Sequence, residues 1–495
     1  MAESIWTDAD LDAHGIPRWT VPFVTVGGGI GSFAMVNALR IAGVDPSMIL
    51  VLSDLDTPTE TYEHLATNSQ IPIHERLRSD SGSVLDCLWG WPGYALREAI
   101  EKRRPGPVWQ VATEPILSEY FTPQAGQVYA SVNREAARIH WHSMRRKGVV
   151  RTVRKRAGGD YFVLFTPEPG TQPTKRVAIQ ARYVHVAVGY PGVRFLPDLQ
   201  AYRETYDDYR RVVNAYEPHN HLYEEMLRRP TTVLVRGSGI VASRVLQRII
   251  DDREQHGAET QIIHLFRNYP QGWQGDSATF RRPSRRGWTY QAFNFPKASW
   301  GGQLRYQLEG LEGDERRAFI DAVGGTNTAP RRDWYKQLER GLEQGFYSQA
   351  LGTVDAVEPT SDGERVATTI RTPTDGIGVL EADFILDATG LEGEIDEHRV
   401  LRDLLDHGGA GRNVKGRLDV ERNFELRGTA HGDGRMYASG SITLGGYYAG
   451  VDSFLGLQHA ALQIQDALAA QGFGHRLGPV RSTSQWLKWA RNVAP

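Results

Sequence analysis

A buried-strand run, a glycine-rich turn, an amphipathic helix and a second strand follow one another twice in this chain. The first copy reads Val21 to Val26 (VPFVTV), then Gly27-Gly28-Gly29-Ile30-Gly31-Ser32, a helical pattern over Phe33 to Ala42, and a second strand at Met48 to Leu52. The second copy reads Thr232 to Val235 (TVLV), then Gly237-Ser238-Gly239-Ile240-Val241-Ala242, a helix over Val241 to Asp251, and a strand at Gln261 to Phe266. Short apolar runs alternating with a helical period specify βαβ units and a parallel sheet. Each copy closes much later with an apolar strand ending in small residues. These are Tyr183 to Ala187, ending at Val188-Gly189, and Phe384 to Leu386, ending at Ala388-Thr389-Gly390. The gap from glycine-rich turn to closing turn is roughly 150 to 160 residues in both, the size of a domain. The expected fold class is therefore α/β. It has two Rossmann-like dinucleotide-binding domains, the second inserted into the first, with bounds at residues 1–227, 228–390 and 391–495.

The spacing of the glycines has a chemical reason. In a GxGxxG turn the first glycine makes the tight turn, the second lets the backbone approach a pyrophosphate, and the third lets helix and strand pack closely. The pyrophosphate rests on free N–H groups at a helix N-terminus, where the dipole favours negative charge. Gly27, Gly29 and Ser32 fill the three places in the first copy, and Gly237, Gly239 and Ala242 fill them in the second. Both third positions are small without being glycine. An acid at the end of the second strand suits ribose hydroxyls, and an arginine there suits a 2′-phosphate. The first copy ends Leu52-Ser53-Asp54, so Asp54 fits the adenosine ribose of FAD. The second ends Phe266-Arg267-Asn268, so Arg267 fits NADPH. The competing readings are a solvated loop acid for Asp54 and a surface cation for Arg267.

Composition narrows the class. A chain of 495 residues with 40% apolar and 23% charged residues is that of a folded protein of two or three domains. A net charge of −2 gives no electrostatic footprint for nucleic acid. The single cysteine, Cys87, excludes an internal disulfide and a redox-active CxxC pair. The start, MAESIWTDADLD, lacks the layout of a signal peptide, and no apolar run reaches membrane-spanning length. A soluble cytoplasmic protein with a small-molecule substrate is expected. The pairs His140/His142 and His219/His221 are joined by no further metal-ligand pattern, so no metal is expected.

A third glycine-rich segment, Met436 to Ser441, precedes a helix at Ser453 to Leu468, and Pro191 to Arg203 and Glu392 to Arg402 read as linkers. An FAD-type turn, a closing turn, an inserted NAD(P) turn, a second closing turn and a C-terminal return together resemble the two-dinucleotide-binding flavoproteins. Within that group the length and the lack of a cysteine pair look like the flavin-dependent monooxygenases, with the N-hydroxylating amine monooxygenases nearest in shape. Gly450-Val451-Asp452-Ser453-Phe454-Leu455 is similar to their turn before the flavin-side helix. Two features depart from the wider group. The FxGxxxH fingerprint is absent around Phe195 to Pro197, and Gly440 is followed by Ser441 in place of the common aspartate.

The resemblance implies that NADPH reduces bound FAD and that one oxygen atom passes, through a flavin C4a-hydroperoxide, to a small amine or carbonyl compound. It implies flavin contacts at Gly440 and Asp452. Asp452 also reads as the N-cap of its helix. An oxidase or dehydrogenase of the same fold and a non-catalytic FAD-binding scaffold are the rival functions. The aromatic and basic segment 273–305 holds Trp273, Trp288, Trp300 and Arg281, Arg282, Arg285 and Arg286. It reads as a substrate or phosphate clamp, or as an interdomain contact. His459 reads as flavin-facing or as a core residue.

Overall fold

The computed structural model describes residues 3–77, 93–117, 121–168, 176–267, 303–323, 332–374, 376–391 and 393–495. Cys87 and residues 273–302 of the aromatic and basic segment lie outside these.

The first sheet contains β1 (Ile5–Trp6), β2 (Arg18–Thr20), β3 (Phe23–Val26), β4 (Ile49–Ser53), β5 (Arg145–Arg156), β6 (Tyr161–Pro167), β7 (Val177–Ala181) and β8 (Tyr183–Val186). All four residues of β3 are buried, as in a strand covered on both faces. β3 pairs in parallel with β4 on one side and with β8 on the other. β5 is shared between two layers. Its first residues continue the parallel sheet from β4, and the rest forms an antiparallel meander with β6 and β7. A register shift between Val150 and Thr152 bends the strand there.

The second sheet takes β9 (Val212–Asn214), β10 (Thr231–Arg236), β11 (Thr260–Phe266) and β12 (Tyr347–Leu351). A separate antiparallel sheet follows, of β13 (Thr353–Pro359), β14 (Val366–Arg371) and β15 (Ile377–Ala382). Then β16 (Phe384–Asp387) returns to the second sheet and β17 (Arg435–Ala438) to the first. The second sheet runs β12-β11-β10-β16-β9, parallel throughout. The parallel part of the first runs β5-β4-β3-β8-β17. The two halves share one topology: third, second, first and closing strand, then one added edge strand. The added strand is β17 in the first sheet and β9 in the second. β9 lies upstream of residue 228, so the second sheet draws on chain before that point.

Local differences from the expected elements have local causes. The helices run Ile30–Ile41, Ile240–His256 and Phe454–Ala470. The first two begin directly on the second glycine of each turn. The segments read as linkers are partly helical. Pro197–Tyr206 is a helix with Pro at its first turn, where the missing N–H costs nothing, and Arg399–Asp403 is a short helix.

One buried ion pair anchors the helix Ala125–Arg138. Glu135 and Arg138 are both almost fully buried and meet through two hydrogen bonds of 2.6 Å, and Arg138 also donates to the Val493 carbonyl at 2.8 Å. Removing one partner strands the other charge in a low-dielectric interior. Glu135→Leu should therefore cost about 3–5 kcal/mol of stability. The urea midpoint would read it, and an unchanged midpoint would contradict it.

Candidate functional site

Both glycine-rich turns are built by the same close approach. Gly27 has φ +106°, and a Cβ there would overlap the carbonyl oxygen of Ala187 at the end of β8. Gly237 has φ +123°, and a Cβ there would overlap the Ala388 carbonyl just past β16. Only glycine satisfies both the positive φ and the contact. Gly28 has an ordinary φ, and its constraint is the contact alone: a Cβ there would overlap the Ser53 side chain at the end of β4. The second glycines differ. Gly29 and Gly239 are the N-caps of their helices, with extended backbone and nothing within 4 Å of an added Cβ. Open space therefore lies at the Cβ position of each, at a helix start whose first amides have no intrahelical acceptors. A helix N-terminus of this kind favours an anion such as a pyrophosphate.

The third positions are packed as their size requires. Ala242 is fully buried. Ser32 is fully buried too, and its hydroxyl has a partner. Ser32 Oγ lies 2.8 Å from Thr25 Oγ1, Thr25 Oγ1 lies 3.0 Å from His185 Nδ1, and His185 Nε2 lies 2.9 Å from Ser439 Oγ. All four residues are buried. This chain of hydrogen bonds crosses from the turn helix through β3 and β8 to the residue before Gly440. Burial pushes the His185 imidazole down to about 3, so it is neutral.

Gly440 reaches the first turn because β17 pairs with β8. It has φ +88°, and Leu457 lies 3.5 Å from its Cβ position. Gly31, in the turn helix, sits 3.4 Å from both Leu457 and Ala187 by the same measure. Ser441 Oγ donates to the Gly189 carbonyl at 3.0 Å, and the Tyr190 hydroxyl donates to Asp452 at 2.8 Å. The first turn, the closing turn, the third glycine-rich segment and the loop before the helix Phe454–Ala470 thus meet in one place.

Asp452 is not the N-cap of that helix. Ser453 is, with extended backbone and its Oγ accepting from the Gly456 amide at 3.0 Å. The Asp452 carboxylate is exposed and turned to Tyr190, one residue too early to cap. Gly456 must be glycine, because a Cβ would overlap the Gly450 carbonyl folded over the helix start. Beside this loop the Tyr62 ring stands 5.1 Å from Phe454 and 6.2 Å from Tyr129. Burial raises the Tyr129 and Tyr216 hydroxyls to about 12, and the Asp452 charge adds to the rise at Tyr216.

The strand-end residues lie where expected in the chain. Asp54 is exposed directly after β4, next to the Ser53 that packs under Gly28. Its neighbour Asp56 is engaged by Arg145 and Lys147 at 3.1 and 3.0 Å. Arg267 is exposed directly after β11. His459 is a core residue, stacked 4.5 Å from Tyr448, and burial lowers it to about 4.

Solved structures share this architecture across nearly the whole chain. An ornithine hydroxylase from Pseudomonas aeruginosa is 16% identical, with a TM-score of 0.64 over 91% of this chain and 99% of its own. An ornithine N-hydroxylase from Kutzneria sp. 744, solved with reduced FAD, NADP+ and L-ornithine, is 13% identical. Its TM-score is 0.62 over 92% and 100%. An FAD-bound cadaverine monooxygenase from Erwinia amylovora is 13% identical, with a TM-score of 0.64 over 92% and 96%. The chain has the fold of the flavin-dependent N-hydroxylating monooxygenases. No protein-family model and no curated protein matches the sequence. Among the described residues no helix is long and apolar enough to cross a membrane.

Sequence reasoning passed over Gly28, Gly456, Tyr190 and the Thr25–His185–Ser439 chain. The triple glycine at 27–29, against Gly-Ser-Gly in the second copy, is the signal that marks Gly28. No local signal marks Tyr190 or the His185–Ser439 contact, whose partners are far away in sequence, and Gly456 is marked only by the way the Gly450 loop folds over it.

The buried imidazoles make acid sensitivity predictable. His185 and His264 are fully buried, with folded pKa values of about 3 and 4, below the ordinary 6.5. Each is protonated only on unfolding, so the unfolded state binds more protons and stability rises with pH. As pH falls from about 6.5 to about 4, each should remove about 1.4 kcal/mol of stability per pH unit. Melting temperatures across that window should drop steeply, and His185→Gln should flatten the drop. An unchanged slope in the variant would contradict the assignment.

Proposed function

We propose that this chain is an FAD- and NADPH-dependent monooxygenase that hydroxylates the amino group of a small amine. The observation that carries the proposal is the pair of turns of one geometry, each open over its second glycine at a helix N-terminus. One cradle suits the pyrophosphate of FAD and the other that of NADPH. The fold shared with ornithine and cadaverine hydroxylases favours monooxygenation and an amine. With a single cysteine in the chain, a CxxC disulfide reductase is excluded.

In this reading Gly27, Gly29 and Ser32 form the FAD turn, and Asp54 takes the adenosine ribose. Gly440 and Asp452 line the flavin end. Gly237, Gly239 and Ala242 form the NADPH turn, and Arg267 pairs the 2′-phosphate. Bound FAD would supply the oxygen-activating chemistry, which the protein positions and shields. Tyr62, Tyr129 and Phe454 form an apolar wall near the flavin end, which keeps water from a reactive site. The Tyr190–Asp452 bond holds the loop before the helix Phe454–Ala470 against the closing turn. We place the start of the NADPH domain before Val212, since β9 belongs to its sheet.

Two experiments test the reading. The wild type should purify yellow, and Gly29→Val should fold yet lose FAD, because its Cβ enters open space at an ordinary φ. Gly27→Val should fail to fold. A Gly29→Val protein that keeps its FAD would refute the FAD turn. Under anaerobic conditions NADPH should bleach the flavin in preference to NADH. Arg267→Ala should lose about 1–3 kcal/mol of that preference, as expected for a charge-assisted hydrogen bond. With oxygen and an amine panel, the matching amine should gain one oxygen atom by mass. NADPH oxidation yielding only hydrogen peroxide with every amine would refute the monooxygenase.

A further inference from the structure

The second glycine-rich turn is held from beneath by His264, which lies on β11, is fully buried, and was passed over in the sequence. Its Nε2 is 2.6 Å from the carbonyl oxygen of Gly237, and its Nδ1 is 2.9 Å from the hydroxyl of Tyr347 on β12. A carbonyl oxygen only accepts, so Nε2 carries the proton and Nδ1 accepts from Tyr347. The Tyr347 oxygen in turn accepts from Gln349 Nε2 at 3.2 Å. Burial keeps the ring neutral well below physiological pH, so this polarity is permanent. The ring also packs 4.1 Å from Phe266, the residue before Arg267.

The geometry of one peptide gives this contact its consequence. A peptide unit is planar and trans, so its C=O and N–H point in opposite directions. Fixing the Gly237 carbonyl on His264 turns the Ser238 N–H to the opposite side of the same peptide, away from the ring. The fold as such does not require an imidazole there. His264 is in register with Val235, and the matching partner of Thr25 in the first copy is Val51. The imidazole thus belongs to the second turn alone.

We propose that His264 is a positioning residue for the NADPH pyrophosphate, which it serves by locking the Gly237–Ser238 peptide in the orientation that presents the Ser238 amide. The proposal rests on the second turn being the NADPH site. It is tested on the FAD-loaded protein with His264→Phe, His264→Gln and Tyr347→Phe, titrating NADP+ by calorimetry and reading FAD content by absorbance. His264→Phe should weaken NADP+ binding at least about ten-fold. His264→Gln, whose amide donates to Gly237 and accepts from Tyr347, should stay within about three-fold of wild type. FAD content should be unchanged in both. Should His264→Phe not fold, Tyr347→Phe carries the test, with an expected loss of about two- to five-fold. Wild-type affinity in folded His264→Phe, or a glutamine variant as weak as the phenylalanine one, would overturn the proposal while the NADPH reading stood. A folded Tyr347→Phe with wild-type affinity would likewise overturn it where His264→Phe does not fold. A wild type that binds no NADP+ would overturn both.

Discussion

The structure depends on two places where a backbone carbonyl occupies the space of a missing side chain. The Ala187 oxygen sits against Gly27, and the Ala388 oxygen against Gly237. Each contact requires the closing strand to lie directly beside the first strand, which sets the sheet order in both halves. It also stops the chain from running past the strand end and turns it into a helix whose first amides have no intrahelical acceptors. In the first sheet the same arrangement leaves β8 free on its far edge. β17 pairs there and carries Gly440 to the turn. One steric requirement thus places the first glycine-rich turn, the closing turn and the C-terminal return together.

The two glycine-rich turns are braced differently. The first is tied across four segments by hydroxyls and the His185 ring, so a small hydroxyl residue, Ser32, serves where a third glycine would stand. The second has alanine at that place and is braced from the neighbouring strands, through His264 and Tyr347. A buried imidazole is costly unless both nitrogens are hydrogen-bonded, and both rings meet that condition. In a low-dielectric interior such bonds are strong and directional, which makes each turn rigid before any ligand arrives.

Much of the scaffold was legible because its signals are local. Periodicity marked β3, β4, β10, β11 and the helices between them, and the glycine spacing marked both turns. Asp54 and Arg267 stand directly after β4 and β11, where the strand pattern put them. The Asp452 cap was misread by one residue, since an aspartate and a serine in sequence are both good caps and only the fold of the Gly450 loop selects Ser453. The meanders β5-β6-β7 and β13-β14-β15 were not anticipated, and neither was the addition of β9 to the second sheet. Edge and antiparallel pairings are chosen by what lies alongside, which no window of sequence contains.

The sequence by itself determined two βαβ units, where small residues must stand in their turns, and which strand ends carry an acid or an arginine. These follow from steric and helical rules that act within a few residues. The tertiary structure alone decided which distant groups meet. His185 reaches Ser439 across 254 residues, Tyr190 reaches Asp452 across 262, and His264 finds Gly237 and Tyr347 on the strands at either side. Such contacts exist only after the sheets have assembled, because it is the pairing of strands far apart in the chain that brings a donor within reach of its acceptor.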